Sequence, residues 1–421
     1  MSVRDVGIAP AATAGRDSTA FPRPPLSEEI AARLPPPLEQ ALRRQAARLL
    51  PLTRWRIPMI MLRGRAACGS AASALVVGRA HEGYWTTRFF AGPVRRESLG
   101  RCALRQLAAR VAAVRDDVDL TLVDLDLRSL EALPAHEYLV VPEWVAMRAP
   151  VPRDLVALSR RSGQVSADLR RVRHGGFTWR VSHETRDFER FHREMYLPHL
   201  QARYGKLAHA HARTRLLRSF GRGGVLLVER DGRPVAGHVF ECAGDGLASV
   251  ALGAVDGAER ALKQGAMAAL YIHLLDHARA MHCASVDLRG TRASLTDGVL
   301  RYKRKWGAAV GMKADVLRGT ALHWRDGSGP AGAFLRRHAP IFRAGAELCA
   351  FTLAPPSMRS DAEMQALRDD LWVPGLRALC VGVPRPFAGT TPSDVVLVPS
   401  DNSGACDPAA VHAALSGREP R

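Results

Sequence analysis

The residues able to do chemistry crowd into one stretch of the chain. An apolar segment over 247–254 leads into Val255-Asp256-Gly257-Ala258-Glu259-Arg260-Ala261-Leu262-Lys263-Gln264-Gly265-Ala266. A run with Met267, Leu270, Tyr271, Leu274, Leu275 and Ala278 at helical spacing follows. A strand, a glycine-bearing loop and a helix start together aim backbone N–H groups at one point. Such a point favours an anion, for instance a pyrophosphate. On this reading Arg260, Lys263, Gln264, Gly265, Ala266 and Met267 hold the phosphates of a carrier, with Arg260 and Lys263 adding charge. On the plainer reading Gly265 starts a core helix. The chain is then expected to re-emerge as a strand over 284–289, turn at Gly290 and enter a short helix over 297–307. Asp287 falls at the expected strand end, where an open α/β sheet presents ligands. It can draw a proton or orient a nucleophile, or it can pair with Arg289 or Arg292. Glu241, on the neighbouring expected strand, is a rival base.

Several other chemistries find no support. His183, His192, His199, His209 and His211 share one region, and His273 and His277 stand four apart. The run His-Leu-Leu-Asp-His is not the HExxH signature, and no metal site is expected. There is no GxSxG, no Cys-His signature and no GxxxxGK[ST], which argues against covalent hydrolysis and nucleoside triphosphatase activity. The seven cysteines are scattered without a CxxC pair, as expected of reduced thiols in the cytoplasm. No apolar run approaches the length of a membrane span, and no signal peptide is visible. The formal charge of +19 invites a nucleic-acid reading. Only five basic residues are lysines, however, and the excess of Arg, Ala and Gly has the look of a GC-rich genome. Four of the five, Lys263, Lys303, Lys305 and Lys313, fall in or beside the central stretch.

With 421 residues the chain is long enough for two domains. Residues 1–50 read as a tail with short helices over 26–34 and 38–50. Residues 51–152 read as a mixed α/β domain. It has strands over 57–62, 74–77, 84–90, 120–125 and 138–141 and a helix over 99–114, but no glycine-rich anion loop. A helical linker with Arg160, Arg161, Arg170, Arg171 and Arg173 covers 153–175. These arginines form a phosphate-gripping face or simply a solvated one. Residues 176–355 form the domain that holds the central stretch. It contains a strand over 177–181, a helix over 185–196 ended by Pro198, and a hairpin turning at Arg230-Asp231-Gly232-Arg233. Strands are also expected over 312–318 and 348–353, and a helix over 331–338. Residues 356–421 are an extension with a helix over 362–371, strands over 378–383 and 395–398, and a loose end from Asn402.

The hairpin, the following strand, the Lys263-Gln264-Gly265-Ala266 loop, its helix and the strand ending at Asp287 resemble the acyl-CoA-binding half of a GNAT acyltransferase. The run Asp287-Leu288-Arg289-Gly290, Asp297-Gly298-Val299, Tyr302-Lys303 and Trp306-Gly307 resembles the ending of the Fem-like branch. That branch holds peptidoglycan-type aminoacyl transferases and cellulose-type acetyltransferases. Asp168–Arg173 and Phe191, Met195-Tyr196-Leu197-Pro198 and Arg203-Tyr204-Gly205 resemble its linker and first helix. The family pattern [QR]-x-x-G-x-[GA], aligned on Gly265, meets Leu262 and Met267 at its ends; Fem-type chains commonly lack a clean version.

The resemblance implies an α/β fold with mixed sheets: tandem GNAT-like domains, the N-terminal copy degenerate. It also implies a bacterial, cytoplasmic enzyme that forms an amide by direct attack of an amine on an acyl donor. Acyl-CoA, with acetyl-CoA first, is the implied co-substrate, and aminoacyl-tRNA is the alternative donor. A small or cell-envelope amine is the implied acceptor. Asp287 or Glu241 would take the proton, Lys303 would neutralise a phosphate or the oxyanion, and Tyr302 would protonate the leaving group. Arg289 and Asp297 would face the acceptor. A non-catalytic scaffold or nucleic-acid-binding module is the remaining alternative.

Overall fold

Strand pleating sends alternate side chains to opposite faces, so Ile57, Met59 and Met61 of the first strand share one buried face, each at most 5% exposed. Apolar runs such as Ala378–Val383, buried throughout, build inner strands of a computed structural model. It describes residues 34, 38, 41, 42, 45, 56–79, 83–204, 210–255, 259–325, 327–383, 387, 389–399 and 406–417. Of the helix expected over 38–50, only Leu38, Ala41, Leu42 and Gln45 are described, and they are helical. Most of the expected N-terminal tail, Asp256–Ala258 of the loop, Gly205 and His209 lie outside the described residues.

The described residues form seventeen strands. The first six are β1 (Ile57–Arg65), β2 (Ala71–Gly78), β3 (Arg95–Cys102), β4 (Leu120–Asp126), β5 (Leu139–Pro142) and β6 (Trp144–Pro150). Then come β7 (Thr178–Ser182), β8 (Gly223–Arg230), β9 (Arg233–Ala243), β10 (Gly246–Ala254), β11 (Ser285–Arg292) and β12 (Ala309–Gly311). The last five are β13 (Arg318–His323), β14 (Ile341–Ala344), β15 (Glu347–Leu353), β16 (Ala378–Val383) and β17 (Val395–Pro399). Helices intervene throughout, and the fold is α/β with mixed sheets.

The chain divides into two units. The larger holds Leu34–Arg171, Glu241–Val250 and Tyr271–Arg421. Its first sheet runs β3-β1-β2-β4-β13-β5, and only β2 and β4 are parallel. Leu107 and Val111, from the helix Leu107–Arg115, sit fully buried on it with Leu75, Val77 and Val123. A second layer pairs β12 with β6 and β6 with β11, both antiparallel, and β11 with β10 in parallel. A third sheet runs β14-β15-β16-β17. In the smaller unit β7 pairs antiparallel with β8. Its helices Thr185–Arg190 and Arg213–Gly221 bury Phe188, Leu216 and Phe220. Among the described residues no helix is long and apolar enough to cross a membrane.

Several expectations need correction. The strand expected over 84–90 is a helical turn, Thr86–Phe89. Trp85 and Phe89 pack on Phe334 at ring distances of 5.8 and 5.6 Å, and their four-residue spacing suits a helix as well as their aromatic character suits a strand. Leu99–Cys102, expected to open a helix, instead completes β3, because pairing with β1 supplies its hydrogen bonds. Pro198 does not end its helix. The π turn Phe191–Tyr196 sends the Leu197 N–H back to His192 O, and the wider turn lets the helix Leu197–Tyr204 carry the proline. The linker is two helices, Leu155–Arg161 and Gly163–Gly175, broken at an extended Ser162. The strand expected over 312–318 starts only at Arg318. Pro408–Ser416, expected to be loose, is a helix capped by Asp407, which accepts from the Ala410 N–H at 2.8 Å.

Two glycines at similar backbone angles separate strain from crowding. Gly69 (φ +93°) has open space where a Cβ would go, whereas Gly375 (φ +91°) would place it 2.0 Å from the Val310 carbonyl oxygen. Gly69→Ala should cost roughly 1–2 kcal/mol. Gly375→Ala should reach about 3 kcal/mol or more. Urea unfolding of the two variants checks the order.

Candidate functional site

Strand β11 is interrupted where the chemistry was expected. Asp287 pairs with Arg148 and Gly290 with Ala146, so Leu288 and Arg289 together oppose Met147. This is a β-bulge within a continuous strand rather than the turn expected at Gly290. Arg289 takes φ +62°, unusual for a residue with a side chain. The Asp287 carboxylate holds it there by accepting the Arg289 N–H at 2.7 Å. On the other side, parallel pairing with β10 covers Gly246–Ser285, Leu247–Val286 and Ala248–Asp287 and stops. Beyond Asp287 the ladder between the two strands gives way to a side-chain contact.

The Arg289 side chain makes that contact. Its Nε donates to Ser249 O at 2.9 Å and its Nη2 to Glu241 Oε1 at 2.6 Å. Asp287 Oδ2 stands 4.0 Å from Nη1. Glu241, considered as a free base, is therefore committed to a guanidinium, with its side chain 12% exposed. The Asp287 side chain is 31% exposed and is open to solvent.

The helix Gly298–Arg304 grows from a strong cap. Asp297 Oδ1 accepts from Val299 N at 3.0 Å, Leu300 N at 3.1 Å and the Thr291 hydroxyl at 3.1 Å. The Tyr84 hydroxyl donates to Oδ2 at 3.4 Å, and burial together with Asp297 pushes its pKa up to about 12. Further along, Lys303 is 5% exposed, and its Nζ donates to Gly290 O at 2.9 Å and Arg289 O at 3.3 Å. Burial lowers its pKa to about 8, against the pull of Asp287 and Asp297. Tyr302 belongs to another group. Its ring meets Tyr271 edge-on at 5.1 Å, and Lys305, paired with Asp168, lies 3.6 Å over it. Burial, then Tyr271 and Asp168, raises its pKa well above the usual phenol range.

In the smaller unit, part of the expected loop is a helical turn, Glu259–Lys263. Gly265 then takes φ +106°, its N–H donating to Leu262 O at 3.1 Å, and the helix Ala266–Ala280 begins. Glycine is needed for that angle. The first N–H groups of the helix have no partner within it. Arg260 and Lys263 are exposed, Met267 is half-buried, and Gly265 and Ala266 are buried. The Gln264 side-chain oxygen is taken by Arg230 Nη1. Among the described residues, no group of three or more His, Cys, Asp or Glu could hold a metal ion.

Asp287, Arg289, Glu241 and Lys303 are thus brought together, Asp297 caps the adjoining helix, and Tyr302 is held elsewhere. The phosphate-site residues form their own group in the other unit. Sequence reasoning missed the bulge, the Ser249 carbonyl, Thr291 and Tyr84. The pattern Asp-Leu-Arg-Gly carried a usable signal, since an Asp commonly binds the N–H two residues on.

No family model and no curated protein matches the chain. Among solved structures it is similar to L-PGS from Bacillus licheniformis, at 12% identity and TM-score 0.32 over 65% of this chain and 86% of that one. It is similar to FemX, at 11% and 0.33 over 65% and 90%. A GCN5-related N-acetyltransferase from Kribbella flavida matches at 18% and 0.24 over 66% and 93%. The GNAT and Fem-like groups named from the motifs thus recur among these structures. Overlaps this loose carry no argument about chemistry.

Lys303 should leave a signature in stability. Its folded pKa, about 8, lies below the 10.5 of an ordinary lysine. Between these values the unfolded chain binds the proton more tightly, so stability rises with pH through that window. Below pH 8 the full penalty, about 3 kcal/mol, is present. Urea unfolding at pH 7.5, 9 and 10 should show wild type gaining on Lys303→Met as pH rises. Parallel curves would contradict it.

Proposed function

We propose that this chain is an acyltransferase that moves an acyl group, acetyl first, from acyl-CoA to an amine acceptor by direct attack, forming an amide. The end of the β10–β11 ladder at Asp287, beside a bulge carrying a positive-φ Arg289, is the observation that carries this reading. Asp287 is the third residue of β11 rather than its end, and the place for a ligand is where pairing with β10 stops partway along the strand. Asp287 is the half-exposed carboxylate there, able to accept the ammonium proton directly or through a water. Arg289 supplies a guanidinium at the same place, fixed in position by Glu241 and the Ser249 carbonyl. Lys303 positions the bulge by binding its two carbonyls, and it acts through the backbone rather than on the substrate. The helix start at Ala266, with exposed Arg260 and Lys263, favours the donor's phosphates. Transfer of this kind needs close placement and donors for the oxyanion more than covalent help.

One observation favours aminoacyl-tRNA as donor: Arg170, Arg171 and Arg173 are exposed on the helix Gly163–Gly175. A thermal-shift panel of acyl-CoAs against charged tRNA separates the two donors. Saturable stabilisation by acetyl-CoA at micromolar levels is expected; stabilisation by charged tRNA alone would transfer the reading to the second donor. Asp287→Asn should lower kcat/KM by about 10²-fold or more. The double variant Arg260→Ala, Lys263→Ala should mainly raise the KM for the donor. Full activity of Asp287→Asn would remove the proposed base.

A further inference from the structure

Strand β6 separates its two faces cleanly. Val145, Met147 and Ala149 are fully buried, and Trp144, Ala146, Arg148 and Pro150 alternate with them on the other side. On that side Arg148 is exposed and Ala146 half-buried. Pairing extends the open face to both neighbours. Asp287 of β11 and Ala309 of β12 stand opposite Arg148, and Gly290 and Gly311 stand opposite Ala146. Asp287 and Gly290 are three residues apart, so in a regular strand they would point to opposite faces. The bulge between them puts both on this one. The row Gly290, Ala146, Gly311 has almost no side-chain bulk. The Lys313 alkyl chain covers Gly290, 3.3 Å from where a Cβ would sit, whereas a Cβ on Gly311 would meet nothing within 4 Å.

Arg148 differs from the cations around it. Arg289 is held by Glu241, Arg292 by Glu143 at 3.2 Å, Lys313 by Asp315, and Lys303 by two backbone carbonyls. Among the described residues the Arg148 side chain makes no hydrogen bond or ion pair. Opposite charges on directly facing strand positions have Cβ atoms about 4.5–5.5 Å apart and normally pair. Asp287 instead turns to the Arg289 N–H at 2.7 Å, with the Arg289 guanidinium 4.0 Å away. The bulge thus engages the carboxylate and leaves the guanidinium opposite it unmatched. A guanidinium is a planar fork of donors with no acceptor, which a carboxylate fits with two parallel hydrogen bonds.

We propose that the acceptor is an amino acid, its ammonium at Asp287 and its carboxylate on Arg148, and that Arg148 sets this specificity. The proposal rests on the acyltransferase reading and names the amines that the reaction takes. In an amino acid the two charged groups sit on one carbon, and facing strand positions offer one charge of each sign side by side. The substrate's own side chain lies toward Gly311, where nothing fills the space. Asp287 takes the first ammonium proton, and the free amine attacks the donor's thioester carbon. The N–C bond forms and the C–S bond breaks. The second amine proton goes to solvent, which protonates the departing thiolate. The carboxylate stays on Arg148 throughout.

Acetyl transfer by the full chain to a panel of common amino acids, each against its amide, tests this, with calorimetric binding of the same compounds alongside. The free acid should exceed its amide in kcat/KM by about tenfold or more. Arg148→Gln should bring that ratio close to one by raising the KM for the acid, without moving the KM for acetyl-CoA. Gly311→Ile, at an open strand position, should raise the KM for acids with long side chains and spare glycine. Binding of the acids that Arg148→Gln weakens about tenfold, with no acetyl transfer to any amine, would keep the amino-acid site and overturn the acyltransferase reading. A wild-type ratio near one, an equal loss on acids and amides in Arg148→Gln, or no saturable binding of any acid below about 10 mM would each overturn the proposal. Faster transfer to O-phosphoethanolamine than to any amino acid would assign Arg148 to a phosphate and overturn it as well.

Discussion

The candidate site depends on how one bulge satisfies its own backbone. Inserting an extra residue opposite Met147 breaks the ladder and leaves the Arg289 and Gly290 carbonyls in need of donors. Lys303 supplies them from a helix that Asp297 starts, and Asp287 takes the Arg289 N–H. These three polar side chains hold Arg289 at an angle it would otherwise avoid. Removing the ammonium would strand two carbonyls beside a buried void. The amine is kept buried despite the desolvation this entails, and that burial lowers its pKa against the pull of Asp287 and Asp297.

What could be read from the sequence was mostly local. Asp231 and Gly232 both take positive φ, as an Asp-Gly hairpin turn requires, and that turn stood out in the chain. Gly265 breaks two helical segments where its missing Cβ allows φ +106°. The helix Asp361–Leu371 and strands β16 and β17 also lie where their patterns put them. The misreadings share a cause. Strand β3 takes residues with helical spacing because β1 offers an edge, and Thr86–Phe89 is helical because Phe334 receives its aromatic face. Each outcome was decided by a partner far away in sequence.

The site divides in the same way. The clustering of Asp287, Arg289, Asp297 and Lys303 was visible because all four fall within one strand and the helix after it. Their roles were not. Glu241 reads as a rival base until Arg289 is found on it, and Gln264 reads as one of the phosphate-holding residues although its side chain is bound to Arg230. Tyr302 and Lys303 are adjacent in sequence, yet successive helical positions point about 100° apart, so they serve different clusters. An arginine-rich chain makes such pairings hard to foresee, since almost any carboxylate has several candidate partners.

Strand β13 lies between β4 and β5, paired to both. During synthesis, β1 to β4 can pair with one another, but β5 leaves the ribosome without the strand that joins it to β4. The gap between them closes only after residues 318–323 have emerged. Until then β4 and β5 expose bare ladder edges, which other chains could pair with. The edge of β4 and the whole of β5 thus wait for a strand almost two hundred residues further on, a long-range dependence that slows folding and makes chaperone protection valuable while the chain grows.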